Sequence, residues 1–326
     1  MRAAVCHRLS GDRSGLAVEP DWPEPPPAGI GEVCVRLHYA ALNYPDLLML
    51  QGGYQFSPAL PFIPGVEGFG MIAAVGEGVT AALVGTMVII SARSGCFAEY
   101  ITVPVDAVRP VPDGLPGREA AAHTVGALTA YVALVHRGRL QPGERVLVTG
   151  AGGGTGLAGV AMAAALGATV VAAASSTEKL TAAKLAGASE LLLIDRATSD
   201  FSGLAEPVDV IFDPVGSSNA SASAALLRTL RWGGRYLIIG FVSGVPVVPF
   251  DRLLLKGIET IGVRGGEFGR RHPAAGRANL AAIDALAAAG KLRPYLGLAV
   301  PLAEVERAFA AMAEGTLVGK AVVDCR

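Results

Sequence analysis

Residues 145–156 carry the clearest chemical signal in this chain of 326 residues. They read Arg-Val-Leu-Val-Thr-Gly-Ala-Gly-Gly-Gly-Thr-Gly, a short β-branched run that ends in a loop made almost entirely of glycine. An apolar, alanine-rich segment with helical character, residues 157–166, follows at once. A strand, a glycine turn and a helix in this order form a site for a pyrophosphate. The backbone can approach the phosphates, and the helix N-terminus offers free N–H groups.

A glycine loop alone is a weak signal, because such loops also serve as plain turns. The strand and helix on either side strengthen it, and we predict a dinucleotide-binding site. The residues assigned to this site are Gly150, Gly152, Gly153, Gly154, Thr155 and Gly156.

The turn after the next predicted strand indicates which dinucleotide binds. In NAD-binding units an acidic residue about 20 positions beyond the glycine loop binds the ribose hydroxyls. This chain instead has Ser175, Ser176 and Lys179, whose hydroxyls and positive charge suit a 2′-phosphate, so we predict NADPH. Arg196, after the third predicted strand, is a further candidate for that phosphate. Ser176 or Thr177 also fits as a helix cap with Lys179 solvated, and both interpretations can hold together.

Composition limits the classes of protein to consider. The chain is 52% hydrophobic and 17% charged, which is typical of a folded protein with a large core. Its net charge is −1 and it has no long basic run, so we expect no nucleic-acid partner. The four cysteines are scattered without a Cys-x-x-Cys pair, and the five histidines lack a short metal-binding spacing.

One uncharged stretch, residues 157–174, is long enough to be tested as a membrane span. Gly167 interrupts it, and the composition changes there from alanine-rich to valine-rich, so a buried helix followed by a buried strand explains it better. The N-terminal residues lack the apolar core of a signal peptide. We therefore expect a soluble cytoplasmic protein without a membrane partner.

The chain changes character near residue 118. Residues 1–118 combine proline, glycine and short apolar runs, which predicts a mostly β domain. From residue 119 strands and helices alternate, as in a doubly wound parallel sheet, and the fold class is α/β. The predicted strands are 145–149, 169–174, 191–194, 208–213, 235–240 and 258–263, and the predicted helices 155–167, 177–186, 218–231 and 273–289. We assign residues 1–118 to a first domain, completed by 265–326, and residues 119–264 to a second.

Several motifs resemble one known family. They are residues 43–70, Val75-Gly-Glu-Gly-Val, Gly95-Cys-Phe-Ala-Glu-Tyr, Leu128-Thr-Ala-Tyr-Val-Ala-Leu, the glycine loop, Ser175-Ser-Thr-Glu-Lys, Phe212-Asp-Pro-Val-Gly, Gly233-Gly-Arg, Gly240-Phe and Gly319-Lys. Together they resemble the medium-chain dehydrogenases/reductases, in the zinc-free NADPH:quinone oxidoreductase (zeta-crystallin-like) branch. The resemblance implies a Rossmann doubly wound parallel sheet domain, which binds the dinucleotide, and a GroES-like, mostly β catalytic domain.

The resemblance also indicates whether the protein can bind a zinc ion. Zinc-dependent relatives place a cysteine ligand where this chain has Asn43 and a histidine ligand where it has Val66. Neither replacement is a zinc ligand at neutral pH, and Glu67 alone cannot build a site, so we predict no metal. The implied reaction is direct hydride transfer from the nicotinamide C4 of NADPH to a quinone or conjugated enone.

The resemblance assigns catalytic roles to Asn43, Asp46 and Tyr54, which border the nicotinamide cleft in this family. Asn43 and Tyr54 would donate hydrogen bonds to the substrate oxygen. Asp46 fits equally well as a carboxylate at a helix start, and Tyr54 as a packing residue.

The resemblance further implies cofactor contacts and a dimer. Thr129 would touch nicotinamide or ribose, although a helical threonine often bonds its own backbone. The remaining cofactor-binding residues implied are Gly240, Phe241 and Lys320. Residues 244–249 followed by residues 257–263 resemble the family's dimer edge, and because an apolar edge strand that long is an aggregation hazard unless it is paired, we predict a homodimer.

Two alternatives remain for the function. An enoyl-thioester reductase would use the same hydride chemistry, with Arg264, Arg270 and Arg271 as contributors to a site for the phosphates of a CoA or carrier arm. A non-catalytic NADPH-binding sensor or structural protein is the other.

Overall fold

The computed structural model describes residues 1–195 and 200–326. In the described residues the strands are β1 (Ala3–Cys6), β2 (Leu16–Glu19), β3 (Glu32–Ala41), β4 (Glu67–Val75), β5 (Met87–Ser91), β6 (Tyr100–Pro104), β7 (Val108–Pro110), β8 (Arg145–Val148), β9 (Thr169–Ala174), β10 (Glu190–Leu193), β11 (Val208–Asp213), β12 (Leu230–Ile238), β13 (Glu259–Gly262), β14 (Leu296–Pro301) and β15 (Lys320–Asp324). The α-helices are α1 (Tyr44–Leu50), α2 (Gly117–Tyr131), α3 (Gly154–Ala165), α4 (Thr177–Leu185), α5 (Ala220–Arg228), α6 (Phe250–Lys256), α7 (Gly265–Arg271), α8 (Pro273–Ala288) and α9 (Val305–Ala313). A π-helix, Val132–Arg137, follows α2 directly.

The described residues form two compact units. The first unit comprises Met1–Thr124 and Leu296–Arg326, and the second comprises Val125–Tyr295. In the second unit a six-stranded, fully parallel sheet has the order β10-β9-β8-β11-β12-β13. The doubly wound parallel sheet predicted from the sequence is thereby confirmed.

Strands β8 and β11 lie side by side at the centre of this sheet. Their residues Val146, Leu147, Val210 and Ile211 are fully buried, because helices cover both faces of a parallel sheet. Gly159 of α3 allows the helix to approach, since a Cβ there would lie 2.8 Å from the ring of Phe212. The strand order reverses between β8 and β11, and an open α/β sheet binds its ligand at such a point.

The first unit is built mainly from antiparallel strands. Its large sheet runs β14-β15-β3-β4-β5-β7, with β6 also paired to β3, and β1 pairs with β2. The C-terminal strand β15 pairs with β3 in antiparallel register, while β14 and β15 are parallel. The core contains Leu37, Leu42, Phe97 and Phe309, all almost completely buried.

Residues 265–295 differ from the sequence-based assignment, which grouped them with the β-rich domain. They lie in the second unit, where α7 and α8 pack together. Within that unit the rings of Phe268 and His136 have centroids 4.6 Å apart, and His136 Nε2 is 2.8 Å from Oδ1 of Asn279. These contacts hold the segment to the π-helix, and sequence periodicity carries no information about them.

Residues 244–249, the first part of the predicted dimer edge, have no regular secondary structure, whereas its second part contains β13, the edge strand of the parallel sheet. Pro246 and Pro249 lack the N–H groups that a strand would donate. The second unit nevertheless exposes a group of large apolar side chains in and around this segment, which we call the apolar surface. It comprises Trp232, Val245, Val247, Phe250, Leu254 and Leu255, with Phe250 and Leu254 each 83% exposed.

A helix that crosses a bilayer needs about 20 predominantly apolar residues. Among the described residues, no helix has both the length and the apolar character needed to cross a bilayer.

Candidate functional site

The glycine loop joins β8 to α3 and is closely packed. Gly150 has φ of +54°, and a Cβ there would lie 2.5 Å from Cγ2 of Val215. A Cβ on Gly156 would lie 2.1 Å from the carbonyl oxygen of Gly150, so the first turn of α3 lies against the loop backbone. Gly153 is the N-cap of α3, and the first N–H groups of a helix have no intrahelical acceptor. The predicted glycines therefore form a backbone cradle that fits a pyrophosphate.

Lys179 lies beside this cradle. A Cβ built on Gly152 would lie 2.3 Å from Cβ and 2.4 Å from Cγ of Lys179, so the lysine stem runs past the loop where glycine leaves space. Ser176 is the N-cap of α4 and accepts from the backbone N–H of Lys179 at 3.3 Å. Ser175 ends the turn between β9 and that cap. The structure thus brings the predicted phosphate-binding side chains together, and the cap interpretation of Ser176 is confirmed.

The other predicted cofactor residues of the second unit lie on separate elements. Thr129 is in α2, and a Cβ on Gly265 would lie 3.2 Å from its Oγ1. Gly240 follows β12, and a Cβ there would lie 2.6 Å from the carbonyl oxygen of Pro214, so the loops after β11 and β12 touch. Phe241 is half exposed. Arg196, the remaining phosphate candidate, lies outside the described residues.

A carboxylate that the sequence analysis left without a role joins β8, β11 and β12. Asp213 Oδ1 accepts from Thr149 Oγ1 at 2.5 Å and from the backbone N–H groups of Val215 and Gly216. Its Oδ2 accepts from the hydroxyl of Tyr236 at 2.7 Å. Burial and the neighbouring Asp213 raise the pKa of Tyr236, which keeps the phenol protonated as the donor.

In the first unit a buried lysine contacts Asn43, one of the three predicted catalytic residues. Lys320 Nζ donates to Leu42 O at 3.0 Å, to Asn43 Oδ1 at 2.6 Å and to Glu67 Oε1 at 2.7 Å. Lys320 is 6% exposed and Glu67 is fully buried. Its three N–H donors are therefore all engaged inside the first unit, which does not support the cofactor contact predicted for Lys320.

Asn43 belongs to the same network. Its Nδ2 donates to Glu67 Oε1 at 2.9 Å and to Ala41 O at 3.1 Å. Because Lys320 can only donate, the amide orientation of Asn43 is fixed with Oδ1 toward the ammonium. Both N–H groups of the Asn43 amide are thus used within the protein, and this geometry does not support its predicted donation to a substrate oxygen.

Asp46 lies at the start of α1 and is completely buried. Its Oδ2 accepts from the backbone N–H of Asn43 at 2.8 Å, and its Oδ1 accepts from the N–H of Gly65 at 3.0 Å. Burial raises the pKa of Asp46 to about 7, although the two backbone donors and the charge of Lys320 act in the opposite direction. The interpretation of Asp46 as a carboxylate at a helix start matches this geometry.

Tyr54 is the third predicted catalytic residue. It lies in the loop after α1, half-buried against the core of the first unit. Its hydroxyl forms no hydrogen bond with the part of the chain that the structure describes. Among the three residues given catalytic roles, Tyr54 is therefore the one whose hydrogen-bond donor, the hydroxyl, is not engaged by the described part of the protein.

The residues at the zinc-ligand positions do not fit a metal ion. Asn43 and Glu67 both bind the ammonium of Lys320, and Val66 has no donor atom. A cation of the protein itself thus occupies the oxygen atoms that a metal would need. Among residues 1–195 and 200–326 no group of three or more histidine, cysteine, aspartate or glutamate side chains could hold a metal ion.

Sequence reasoning missed the contacts of two buried carboxylates, Glu67 as the partner of Lys320 and Asp213 as the bridge between strands. The sequence did hold a signal for the role of Asp213, because a carboxylate at the end of a buried apolar strand must find hydrogen-bond donors. No signal marked the pair of Glu67 and Lys320, which are 253 residues apart in sequence.

Two family models match the chain. The family described as Alcohol dehydrogenase GroES-like domain matches residues 29–113, and the family described as Zinc-binding dehydrogenase matches residues 154–282.

Individual relatives cover most of the chain. Quinone oxidoreductase-like protein 2 of Bos taurus is 34% identical over 333 residues, which span 100% of this chain and 93% of the relative. The synaptic vesicle membrane protein VAT-1 homolog of Homo sapiens is 36% identical over 225 residues, 68% of this chain and 57% of the relative. The crystal structure of the quinone oxidoreductase from Thermus thermophilus, also solved in complex with NADPH, matches with a TM-score of 0.83 and 34% identity over 99% of this chain and 100% of that chain.

The raised pKa of Asp46 predicts how stability depends on pH. The folded-state pKa of about 7 lies above the unfolded value near 3.9, so the folded protein holds a proton that the unfolded chain releases. The free energy of unfolding should therefore fall as pH rises from about 4 to about 7, by about 2–4 kcal/mol, and then level off. Urea denaturation at several pH values between 4 and 8 measures this.

The variant Asp46→Asn should remove this component of the pH slope, because an amide does not titrate. It should also be less stable at low pH, since its NH₂ group would oppose one of the two backbone N–H donors. Asp106→Asn, at an exposed position of the same unit, is the matched control and should keep the wild-type slope. Parallel curves for the wild type and Asp46→Asn would contradict the assignment.

Proposed function

The chain belongs to the medium-chain dehydrogenase/reductase superfamily, in its quinone oxidoreductase branch, and from this premise we propose that it is an NADPH-dependent quinone or enone reductase that works without a metal. The glycine cradle flanked by Lys179 is the single observation that carries the proposal. It combines a loop that fits a pyrophosphate with a positive charge at the end of β9, where a carboxylate would select NAD.

The choice of NADPH rests on the local chemistry of the second unit. A 2′-phosphate brings negative charge and acceptor oxygens, and Lys179, Ser175 and Ser176 offer a charge and hydroxyls in the turn after β9. The complex of the Thermus thermophilus relative with NADPH supports the same cofactor. Thr129, Gly240 and Phe241 are proposed to complete the cofactor site.

The proposed mechanism is metal-free. NADPH supplies a hydride from nicotinamide C4, and the second unit holds the dinucleotide through the glycine cradle. The first unit supplies the hydroxyl of Tyr54, which we propose as the donor to the substrate oxygen as negative charge develops there. Asn43, Asp46, Glu67 and Lys320 hold the backbone at the start of α1, the helix that precedes Tyr54.

We propose the same division of labour for the two units as for the family. The GroES-like first unit is the catalytic domain, and the Rossmann-like second unit binds the dinucleotide.

All four cysteines are free thiols. Free thiols persist in reducing compartments, which supports the cytoplasm as the place of action.

We also propose a homodimer formed through the apolar surface. Phe250 and Leu254 belong to α6, and β13, the next strand, is the edge strand of the parallel sheet. Large apolar side chains in one patch usually mark an interface, because leaving them in water forgoes the free energy of burial. A second copy of the chain would cover both the patch and the unpaired edge.

The variant Lys179→Met should discriminate between the two dinucleotides. Losing a charged contact to the 2′-phosphate should raise the Kd for NADPH about tenfold and change the Kd for NADH less than about threefold. Lys184→Met, an exposed lysine of the same helix, is the control. Titration by nucleotide fluorescence measures both constants, and an equal loss of affinity for NADPH and NADH would argue against a 2′-phosphate contact.

A substrate panel tests the activity itself. We expect the protein to oxidise NADPH when 1,4-benzoquinone or an α,β-unsaturated ketone is the acceptor. The fall in NADPH absorbance measures the rate. Tyr54→Phe should lower kcat about tenfold or more. Turnover only with an enoyl-CoA would favour the enoyl-thioester reductase. Tight NADPH binding without turnover of any acceptor would favour the non-catalytic sensor.

Leu254→Asp should convert the dimer to a monomer, because a carboxylate within the apolar surface would be buried without a partner in the dimer. Light scattering after size-exclusion chromatography measures the mass. Leu185→Asp is the control, since Leu185 is 75% exposed in the same unit but lies outside the patch. A concentration-independent monomer mass for the wild type would reject the dimer.

A further inference from the structure

Asp213 holds a negative charge that its hydrogen bonds solvate but do not neutralise. Its side chain is 2% exposed and accepts four hydrogen bonds, from Thr149, Val215, Gly216 and Tyr236. An ionised carboxylate is an acceptor only, so four donors aimed at its two oxygens suit the charged form. All four donors are neutral groups.

Asp213 has no ion-pair partner within residues 1–195 and 200–326. None of the lysine, arginine or histidine side chains there forms an ion pair with Asp213. Arg235, next to Tyr236 in the chain, donates instead to Glu144 and to the carbonyl oxygens of Gly138 and Arg139. In an interior of low dielectric the field of such a carboxylate extends further than it would in water.

The position of this charge in the fold is specific. Asp213 is the last residue of β11, and Thr149 follows the last residue of β8. The bond between their side chains therefore bridges the two strands at which the order of the parallel sheet reverses. In open α/β sheets a dinucleotide binds outside the carboxyl ends of the strands at this point.

The same carboxylate fixes the adjacent loops. It accepts from the backbone N–H groups of Val215 and Gly216 and so holds the turn after β11. The carbonyl oxygen of Val215 in turn accepts from the backbone N–H of Ser243, in the loop after β12, at 2.8 Å. The loops after β11 and β12 are thus joined beside a single buried negative charge.

We propose that the Asp213 carboxylate favours the oxidised nicotinamide over the reduced one and so promotes hydride release from NADPH. This inference rests on the proposed function, because it requires NADPH to bind at this edge of the sheet. When the C4–H bond breaks, both electrons leave with the hydrogen for the acceptor, which then takes a proton from water. The ring changes from neutral to a pyridinium cation, and a fixed negative charge stabilises that cation.

The test uses a variant that removes the charge and retains the hydrogen bonds. In Asp213→Asn the amide oxygen can accept from Thr149, Val215 and Gly216, and the NH₂ group can donate to the hydroxyl oxygen of Tyr236. Calorimetric titration of the full chain with NADPH and with NADP⁺ gives the ratio of Kd(NADP⁺) to Kd(NADPH). We expect this ratio to rise roughly tenfold, which is the effect of one unit charge at a separation of about 12 Å in an effective dielectric of about 20. For a two-electron couple that is a change of about 30 mV in the potential of the bound cofactor.

Two further variants separate charge from geometry. Tyr236→Phe removes one hydrogen bond and keeps the carboxylate, so its ratio should stay within about twofold of the wild type while its free energy of unfolding falls. Asp213→Ser also removes the charge but leaves room for water, and should raise the ratio as Asp213→Asn does. Asp213→Ser replaces Asp213→Asn in this test if the asparagine variant fails to fold.

An unchanged ratio in the charge-removing variants would overturn the inference while leaving the proposed function intact. An equal rise in Tyr236→Phe would overturn it as well, because the effect would then come from geometry. A wild-type protein that binds neither nucleotide would instead refute the proposed function, and the inference with it.

Discussion

A buried carboxylate must be met by donors or by a cation, since desolvating it alone costs several kcal/mol, and both units are arranged around this constraint. In the first unit Lys320 crosses from the C-terminal strand to Glu67 and Asn43, which ties β15, β4 and the start of α1 to one point. The pair is worth little as a source of net stability, because burial of both ions offsets their attraction. Its effect is positional, since movement of the segment before α1 would take the acceptors Leu42 O and Asn43 Oδ1 away from the buried ammonium of Lys320.

The second unit meets the same constraint without a cation. Asp213 is satisfied by two hydroxyls and two backbone N–H groups, which join β8, β11 and β12 where the sheet order reverses. The glycine cradle begins one residue after Thr149, so the donor to Asp213 and the proposed phosphate site are parts of one continuous turn. One buried side chain therefore joins three strands of the sheet to the turn in which the glycine cradle begins.

The sequence predicted the second unit well, because its parallel strands and alanine-rich helices have distinct periods and its glycine loop has a steric cause. The strand-end turn with Ser176 and Lys179 was also predictable, since helix caps are local. Asn43 and Lys320 were placed in roles that their contacts do not support, because the partners that use up their donors are up to 278 residues away in sequence. In the predicted dimer edge, Pro246 and Pro249 are local signals that residues 244–249 form no strand, and only its second part contains one, β13.

Direct hydride transfer from NADPH, without a metal, is the central claim. It is tested most directly by incubating the chelator-treated protein with NADPH deuterated at C4, using each stereoisomer in turn, and an α,β-unsaturated ketone. Mass spectrometry of the reduced product then locates the label. We predict one deuterium at the β-carbon from one of the two stereoisomers, at a rate that chelation does not change. A product without deuterium from either isomer, or an activity lost on chelation and restored by zinc, would contradict the account.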